Sequence, residues 1–404
     1  MYILKKKIFT LVFLLVLFIY SAANLIHSKE VLQDKLIANI HISVSNLTDT
    51  AQELEQSINE SVLGRMDYIE LYGLLQRLMN KKEISNFAYL KDEKGYLHYS
   101  SFFREDDPDI FEYAMRIKRL GDYSRKLGTK IIFVTAPSKY ISGVTKLEPG
   151  LSANDPSITV ERLLFYLNRL GIETLNLGEY IPNNDLSYED SFFKTDHHWT
   201  IPAAFRAAQI LTEKMNDSFN AGLNTDFFSS EKYTEKIYKG GMLGSMGRKT
   251  GVNYVGFDDF TALWPTFEIH YTRDCLEEND TYTHREGITE ETLMIPSSIE
   301  KKENIYKDSQ YSLYLNGLRP FESIKNNDCP NGPTALFIRD SYFSPVICFM
   351  APVFSRIDAI WSLETSDLIN IEQYVRDNKF DYIIIEMYPY NIEDDAFNYF
   401  KEEQ

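Results

Sequence analysis

The sequence has few of the residues that build metal and redox sites. Only three cysteines occur in 404 residues, and Cys275, Cys329 and Cys348 show neither CxxC nor CxH spacing. They therefore form no zinc or redox motif, and at most one pair of them can form a disulfide. There is no HExxH motif, and two adjacent histidines in extended chain cannot chelate one zinc ion well. We therefore expect neither a metal nor another cofactor.

Positive charge is also scarce, and no internal repeat or low-complexity tract is present. The 42 Lys and Arg residues stand against 59 Asp and Glu, which gives a formal net charge of −17. Because nucleic acids and anionic lipids are bound by clustered Lys and Arg, this balance argues strongly against both as partners. Aromatic residues are plentiful instead, with 27 Tyr and 26 Phe, and the length suits one large or two ordinary domains.

The N-terminus predicts an export signal. Three lysines, Lys5 to Lys7, precede an apolar run, Ile8–Ile26, that spans roughly 28 Å as a helix and so matches a bilayer core. The lysines favour a cytoplasmic N-terminus and an extracytoplasmic remainder. We expect an uncleaved signal-anchor helix over 1–28, since the run stays apolar to its end. A cleaved signal peptide is the alternative, because Ser21 and Ala23 are small enough for a peptidase site.

The rest of the chain predicts a helical stalk followed by one α/β domain. Apolar residues at steps of three and four indicate an amphipathic helix within 29–80. Over 81–404, helices alternate with short runs of Ile, Val and Phe, which is typical of a parallel sheet covered on both faces. The expected fold is therefore a three-layer α/β sandwich. The segment at about 219–319 is polar, aromatic and poor in periodicity, and we interpret it as an insertion or lid.

A candidate general base lies in the stretch 194–200. Asp196 and His198 are two positions apart, so in extended chain they project to the same side and the carboxylate can orient the imidazole. That is the acid/base half of a hydrolytic triad. The alternative is a helix entrance, with Thr200 as N-cap and Pro202 in the first turn. His197 stands between the aspartate and the second histidine, and local sequence does not separate the two imidazoles.

A candidate nucleophile, Ser341, follows the apolar strand 334–338. Functional residues of parallel α/β sheets collect at the carboxyl ends of the strands. A serine there also has its backbone N–H near a helix N-terminus, where it can stabilise an oxyanion. The alternative is that Asp340 or Ser341 merely caps the next helix. Ser245 is a weaker candidate, because its Leu-Gly-Ser-Met-Gly context lacks the first glycine of GxSxG.

With these motifs in view, the chain resembles the DHHW family, which is related to the alginate O-acetyltransferase proteins AlgJ and AlgX and has an SGNH-hydrolase-like catalytic domain. The resemblance covers most of the chain after about residue 86. It is carried by the order of five blocks, at 136–139, 195–200, 243–247, 311–320 and 338–342. It implies an SGNH-hydrolase-like three-layer fold for the domain.

The resemblance also implies roles for individual residues. An Asp-x-His-Trp motif supplies the acid/base pair, so Asp196 is the expected orienter, His198 the general base and Ser341 the nucleophile. His197 fills the x position and is expected to line the site or contact the backbone. The chain has Arg-Asp-Ser where SGNH enzymes have Gly-Asp-Ser, and it lacks a Gly-x-Asn-Asp block. Candidates for the oxyanion and substrate contacts are Asn316, Gly244, His197, Trp199, Lys139, Arg339 and Tyr342.

The expected function is that of an extracytoplasmic O-acetyltransferase which modifies a cell-surface or exported polysaccharide through an acetyl-serine. A membrane-bound O-acyltransferase is the expected partner and acetyl source. Two alternatives stay open: a carbohydrate acetyl-esterase with the same triad, and a non-catalytic glycan-binding or scaffold protein. The catalytic interpretation requires the Ser341 hydroxyl to lie roughly 2.6–3.2 Å from a ring nitrogen of His198.

Overall fold

The computed structural model describes residues 2–29, 33, 55, 57–59, 61–101, 109–183, 186–277, 280–300, 305–306, 309–363 and 369–401. Its helices are α1 (Tyr2–His27), α2 (Arg65–Leu78), α3 (Ile110–Lys126), α4 (Ser157–Arg169), α5 (Tyr188–Ser191), α6 (Ile201–Phe219), α7 (Ser245–Thr250), α8 (Val252–Val255), α9 (Thr289–Thr292), α10 (Ser297–Glu300), α11 (Ser344–Met350) and α12 (Ile371–Asp377). Its strands are β1 (Glu83–Ile84), β2 (Tyr89–Lys91), β3 (Leu97–Tyr99), β4 (Lys130–Thr135), β5 (Glu173–Asn176), β6 (Tyr233–Met242), β7 (Asp258–Pro265), β8 (His270–Leu276), β9 (Tyr282–Ile288), β10 (Phe321–Asn326), β11 (Thr334–Arg339), β12 (Arg356–Trp361) and β13 (Tyr382–Met387).

An eight-stranded sheet organises the domain, with the strand order β5-β4-β13-β11-β12-β10-β8-β9. The first five strands in that order are parallel to one another. The last three, β10, β8 and β9, add to one edge in antiparallel pairs. The predicted α/β fold with a mostly parallel sheet is therefore confirmed, and β11, which precedes Ser341, lies near its centre.

Successive residues of the parallel strands point to opposite faces of the sheet, and both faces are covered. On β11, Ala335 and Phe337 pack in a core that includes residues of α6 and α11. Leu336 and Ile338 point the other way, into a core shared with α3 and α4. All four side chains have no exposed surface. This two-sided burial explains why the strands read as continuous apolar runs, and it gives the expected three layers.

Helix α6 begins where the sequence predicts, at the entrance that follows the histidine pair. The Thr200 hydroxyl accepts a hydrogen bond from the N–H of Ala203 at 3.3 Å, and Pro202 occupies the first turn. The helix ends at Asn220, which adopts a left-handed conformation with φ 53°. The capping interpretation of Thr200 is therefore confirmed, and the cap fixes one end of the loop that carries His198.

The segment 219–319 contains four strands that its weak periodicity did not predict. Strands β6 and β7 form a separate two-stranded sheet, whereas β8 and β9 extend the main sheet through β10. The residues of β9 are mostly exposed, because it is an edge strand with solvent around it. An exposed edge has no buried face to impose apolar alternation on the sequence, so the strand leaves little signal. The bounds of the insertion stay a prediction.

Among the described residues, one helix, Leu4–His27, is long and apolar enough to cross a membrane, as predicted. Most of 30–60, where the amphipathic stalk is predicted to continue, lies outside the described residues. Helix α2 lies on the domain, and its Glu70 carboxylate accepts hydrogen bonds from the N–H groups of Val252 and Asn253 at 2.7 and 2.8 Å. The three cysteines are free thiols, so none of them forms the single disulfide that the sequence allowed.

Candidate active site

Ser341 lies at the carboxyl end of β11, in a tight turn that leads into α11. The side chain of Asp340 holds this turn. One of its oxygens accepts the N–H of Tyr342 at 2.9 Å, and the other accepts the N–H of Tyr388 at 2.7 Å and the Asn391 side-chain amide at 2.8 Å. Asp340 is therefore the residue that caps the turn, which leaves the half-buried Ser341 hydroxyl free to face the loop that carries the histidines.

The three residues predicted as a triad lie in one hydrogen-bonded row. The Ser341 Oγ is 2.8 Å from Nε2 of His198, within the range that the catalytic interpretation requires. On the other side of the ring, Nδ1 of His198 lies 2.7 Å from Oδ1 of Asp196. Because an ionised carboxylate only accepts, the hydrogen bond to Asp196 assigns the proton to Nδ1 and leaves the Nε2 lone pair facing the serine.

His197 also contacts a hydroxyl and a carboxylate, but it makes both contacts with the same ring nitrogen, Nδ1. Its Nδ1 lies 2.9 Å from the Ser245 hydroxyl and 3.3 Å from Asp196. A general base needs one ring nitrogen for the carboxylate and the opposite one for the nucleophile, whereas His197 presents the same atom to both. Burial, with the neighbouring His198 ring, lowers the pKa of His197 to about 3. His197 is therefore neutral across the physiological range.

Asp196 is buried and held ionised by the groups around it. Burial alone raises the pKa of this carboxyl, but the rings of His197 and His198 and two hydrogen bonds from His198 lower it well below its usual range. The N–H of Ser245, in the first turn of α7, adds a hydrogen bond to Oδ2 at 2.6 Å. The carboxylate is thus fixed on both oxygens, and it can stabilise a positive charge on His198.

The loop before Asp196 is anchored by a second buried carboxylate, Asp258. It accepts the N–H groups of Lys194 and Thr195, each at 2.8 Å, and the Thr195 hydroxyl at 2.6 Å. Thr195 in turn accepts the N–H of Gly244 at 2.7 Å. No local sequence pattern connects Asp258 with this loop, since the two are 63 positions apart in the chain.

Gly244 packs directly against the Asp196 carboxylate, which contacts His198. A Cβ added to Gly244 would lie 2.3 Å from Cβ of Asp196, a distance that no side chain tolerates. Its N–H donates to Thr195, so the structure gives this glycine a packing contact in place of the predicted oxyanion contact. Asn316 has a left-handed φ of 52° in a half-buried turn, and no hydrogen bond joins it to the triad among the described residues.

The Lys139 side chain hydrogen-bonds to the backbone of the same loop. Its buried ammonium group donates to the backbone carbonyls of Phe193, Lys194 and Asp196 at 3.1, 3.4 and 2.5 Å. The side chain is 2% exposed, so it faces the loop backbone and not a substrate. Burial lowers the pKa of Lys139 from 10.5 to about 8, against the pull of nearby carboxylates led by Asp196.

Replacing Lys139 with methionine is expected to lower the free energy of unfolding by about 2–4 kcal/mol, because it leaves buried carbonyls without a donor. Chemical denaturation of the full-length protein measures this change. Lys130→Met is the matched control, since the Lys130 ammonium group donates to a single carbonyl, that of Phe219, at an exposed position. We expect a change within roughly 0.5 kcal/mol for the control. Equal stability of Lys139→Met and the parent would contradict the supporting role.

The same lysine gives a pH dependence with a definite sign. Its pKa is lower in the folded chain, about 8, than the usual 10.5 of an unfolded chain. Between these values the unfolded state binds more protons, so the free energy of unfolding of the parent rises with pH relative to Lys139→Met. Denaturation of both proteins at a series of pH values from 7 to about 10.5 measures the difference. A difference that shrinks as the pH rises would contradict the assignment.

Aromatic side chains enclose the His198 ring. The ring of Tyr311 stacks on His198 with centroids 4.2 Å apart and an interplanar angle of 24°. Tyr311 is held by Trp199, whose Nε1 donates to the Tyr311 hydroxyl at 3.1 Å and to the Tyr342 carbonyl at 3.2 Å. The Tyr342 hydroxyl donates to the carbonyl of His197. Tyr311 is a contact of the base that the sequence did not assign.

Three of the predicted site residues lie in the interior. Trp199, Arg339 and Tyr342 have no exposed surface, so they position the site and do not contact a substrate. This corrects the expectation of oxyanion or substrate contacts. Arg339 pairs with the buried Glu322, which also accepts Nε of Arg273 at 2.9 Å. The ionic network lies beneath the strand that presents Ser341, since Arg339 is the last residue of β11.

A metal is the alternative use of this cluster, because Asp196, His197 and His198 each offer a ligand atom within 4.8 Å of the others. The hydrogen-bond pattern favours the triad. The Nδ1 of His198 carries the proton that contacts Asp196, and a protonated nitrogen cannot ligate a metal ion. Its other nitrogen, Nε2, contacts the Ser341 hydroxyl. The donor atoms of His198 are therefore already used in the Ser341–His198–Asp196 row.

The fold and this row define the class of protein: an α/β domain of the SGNH-hydrolase-like type, with serine, histidine and aspartate at the carboxyl edge of a mostly parallel sheet. Residues 92–263 match the family model described as the SGNH hydrolase-like domain of the acetyltransferase AlgX. The predicted relation to AlgX is thereby confirmed. The matched segment contains Asp196 and His198 but not Ser341, so the assignment of the nucleophile depends on the geometry.

Several known structures are similar to this chain. Bacillus cereus PatB1 with a sulfonyl adduct is 18% identical, with 77% of this chain and 97% of that chain covered and a TM-score of 0.59. A DHHW family protein from Eubacterium siraeum is 15% identical, with 76% and 96% covered and a TM-score of 0.52. The O-acetyltransferase domain of Pseudomonas putida AlgJ is 11% identical, with 76% and 94% covered and a TM-score of 0.45. No curated protein matches the sequence.

Proposed function

We propose that the protein is an extracytoplasmic O-acetyltransferase that modifies a cell-surface or exported polysaccharide through an acetyl-serine intermediate. The observation that carries the proposal is the row in which His198 lies 2.8 Å from the Ser341 hydroxyl and 2.7 Å from Asp196. The match of 92–263 to a domain of the acetyltransferase AlgX supports the type of group transferred.

In the first half-reaction, Ser341 takes the acetyl group. Oγ of Ser341 attacks the acetyl carbonyl of the donor, while its proton passes to Nε2 of His198. Asp196 accepts the Nδ1–H hydrogen bond and stabilises the imidazolium that forms. The imidazolium then protonates the leaving group, which departs and leaves an acetyl ester on Ser341. We place one oxyanion donor at the Ser341 backbone N–H, at the start of the turn.

In the second half-reaction, a polysaccharide hydroxyl takes the acetyl group. His198 is neutral again and removes the proton of this hydroxyl as its oxygen attacks the acetyl-serine carbonyl. Collapse of the tetrahedral intermediate breaks the bond to Oγ, and Ser341 regains its proton from His198. Water in place of the sugar hydroxyl gives an esterase with the same residues, so the acceptor contacts decide between the two reactions.

The N-terminal helix supports a location of this chemistry at a membrane. We infer that α1 anchors the chain, with Lys5 to Lys7 on the cytoplasmic side and the domain on the extracytoplasmic face. Since the acetyl donor must then reach Ser341 from across the bilayer, a membrane-bound O-acyltransferase is the kind of partner that would deliver it. Cleavage of the helix after export would release the domain instead and weaken such a partnership.

The proposal is tested by trapping the intermediate. The full-length protein in detergent is treated briefly with para-nitrophenyl acetate, quenched in acid and digested, and the peptides are mapped by mass spectrometry. We expect an acetyl group on Ser341, and none on this peptide in His198→Ala. A sulfonyl fluoride is a second probe, since a sulfonyl adduct is described for PatB1. Absence of both labels from Ser341, with glycan binding retained, would favour the non-catalytic alternative.

Comparison of two products separates transferase from esterase. With the donor and an oligosaccharide present, a transferase yields acetylated sugar in preference to free acetate, and an esterase yields acetate alone. We expect acetylated sugar to dominate once the oligosaccharide saturates the site.

Gly244→Ala is expected to lower kcat by about 100-fold, because a methyl group there displaces Asp196, and small misplacements of catalytic groups carry such costs. The reaction is para-nitrophenyl acetate turnover by the full-length protein. Gly240→Ala is the matched control in the same glycine cluster, since a Cβ there meets only Phe257, at 3.9 Å. Gly240 has a positive φ, 54°. We therefore expect the control to lose about 1–2 kcal/mol of stability and to keep its activity. Equal activity of the two variants would contradict the packing role of Gly244.

A further inference from the structure

A groove of about 360 Å³ opens beside the triad, and tyrosine side chains form much of its wall. Tyr89 and Tyr99 come from the hairpin of β2 and β3, and Tyr388 and Tyr390 follow β13. Ring centroids lie 6.0 Å apart for Tyr89 and Tyr99, 5.3 Å for Tyr99 and Tyr390, and 5.1 Å for Tyr388 and Tyr390. The four rings therefore form a continuous aromatic wall contributed by two separate parts of the chain.

Ring-to-ring contacts continue from this wall to His198. Tyr388 stacks on Tyr342 with centroids 4.3 Å apart and an interplanar angle of 16°. Tyr342 in turn lies 5.0 Å from the ring of His198, and His197 itself lines the groove. Because Tyr342 is buried, the link from the groove to the row is His197, whose ring centroid lies 3.9 Å from that of His198. A molecule in the groove that contacts His197 therefore lies one ring away from the proposed base.

None of the described residues that line the groove carries a formal charge. Its polar groups are hydroxyls, amides and the imidazole of His197, which is neutral. The neighbouring cavity, of about 340 Å³, is lined by three carboxylates, those of Asp155, Glu161 and Glu179. Tyr390 separates the two, and its hydroxyl donates to the Asn154 carbonyl at 2.7 Å. An anion in the groove would therefore lie near these carboxylates, and the described residues that line the groove offer no cation to pair with it.

We propose that this groove is the acceptor subsite and that it takes an uncharged pyranose, such as a neutral hexose or an N-acylated amino sugar, in preference to a uronic acid. The inference rests on the proposed function, which it deepens by naming the class of acceptor. Pyranose rings present apolar C–H faces that pack on aromatic rings, and their hydroxyls hydrogen-bond to neutral polar groups. A uronate carboxylate would be desolvated there with only neutral hydrogen-bond donors and no cation among the described lining residues.

Direct binding tests the proposal independently of catalysis. Ser341→Ala, as the full-length protein in detergent, is titrated by calorimetry with three tetrasaccharides: one of N-acetylglucosamine, one of glucose and one of galacturonate. We expect at least one neutral tetrasaccharide to bind, and the galacturonate to bind at least about 10-fold more weakly. Tyr99→Ala and Tyr390→Ala, added to this background, are expected to weaken neutral-sugar binding by about 5- to 10-fold. Tyr99→Phe keeps the ring and is expected to retain the affinity.

Tyr282→Ala is the matched control, because this tyrosine is 70% exposed on the edge strand β9, at the far end of the sheet from β4 and β13. Galacturonate binding as tight as the neutral sugars, or neutral-sugar binding that neither groove variant weakens, overturns the proposal. The discrimination among sugars needs no groove variant, so it stands even if an alanine variant fails to fold. These outcomes are separate from failure of the proposed function, which is the absence of an acetyl group on Ser341 in the otherwise unaltered protein.

Discussion

Ser341→Ala is expected to reduce acetyl transfer and ester turnover by about 10,000-fold, to the level that binding and oxyanion contacts alone sustain. The reason is that Oγ of Ser341 is the only atom among the described residues that lies within hydrogen-bond distance of Nε2 of His198, at 2.8 Å. The substitution removes one half-buried hydroxyl and leaves the turn intact, because the turn is held by Asp340. The measurement is the steady-state rate with para-nitrophenyl acetate, alongside an unchanged denaturation curve.

Ser245→Ala distinguishes the two serines at the site. The Ser245 hydroxyl contacts His197, whereas its backbone N–H contacts Asp196 and survives the substitution. We expect a loss of no more than about 10-fold. Ser230→Ala, at an exposed serine, controls for nonspecific effects. A loss in Ser245→Ala as large as the one expected for Ser341→Ala, with Ser341→Ala still active, would move the nucleophile to Ser245 and the base to His197.

Asp196→Asn is expected to lower kcat by about 1,000- to 10,000-fold with little change in KM for the ester. The amide is nearly isosteric, but its NH₂ group can donate to Nδ1 of His198, and this favours the tautomer with its proton on Nε2. That tautomer cannot accept the Ser341 proton. The uncharged amide also gives less stabilisation to the imidazolium. Steady-state kinetics of the full-length protein over a range of ester concentrations separate the effects on kcat and KM.

Asp258→Asn is the matched comparison, because Asp258 is a similarly buried aspartate that fixes the same loop without touching His198. The amide oxygen can keep the Thr195 N–H and hydroxyl, which one carboxylate oxygen accepts, but its NH₂ group then replaces the oxygen that accepts the Lys194 N–H. We expect a loss of roughly 10- to 100-fold from the looser loop. A loss in Asp196→Asn no larger than in Asp258→Asn would mean that Asp196 is structural and does not act on the base.

Much of the fold can be predicted from local sequence patterns. The strands β4, β11 and β13 are buried on both faces, so apolar runs mark them in the sequence, and the predicted strand 334–338 matches β11 to within one residue. Thr200 with Pro202 predicts the start of α6. The segment 219–319 is different. Its strands β6 and β9 lie with most residues exposed, so no apolar pattern marks them, and their pairing is decided by the neighbouring strands.

The candidate site also has a part that the sequence predicts and a part that only the tertiary structure shows. The sequence determined the candidate triad, since Asp196, His198 and Ser341 stand in recognisable local contexts, an Asp-x-His pair and a strand-end serine. Only the tertiary structure decided which histidine can relay a proton, because that depends on which ring nitrogen faces each partner. It also decided that Trp199 and Arg339 are interior residues, and it brought Lys139, Gly244 and Tyr311 to the histidine loop. These contacts join residues more than 45 positions apart, whose proximity is set by packing and leaves no mark on neighbouring sequence.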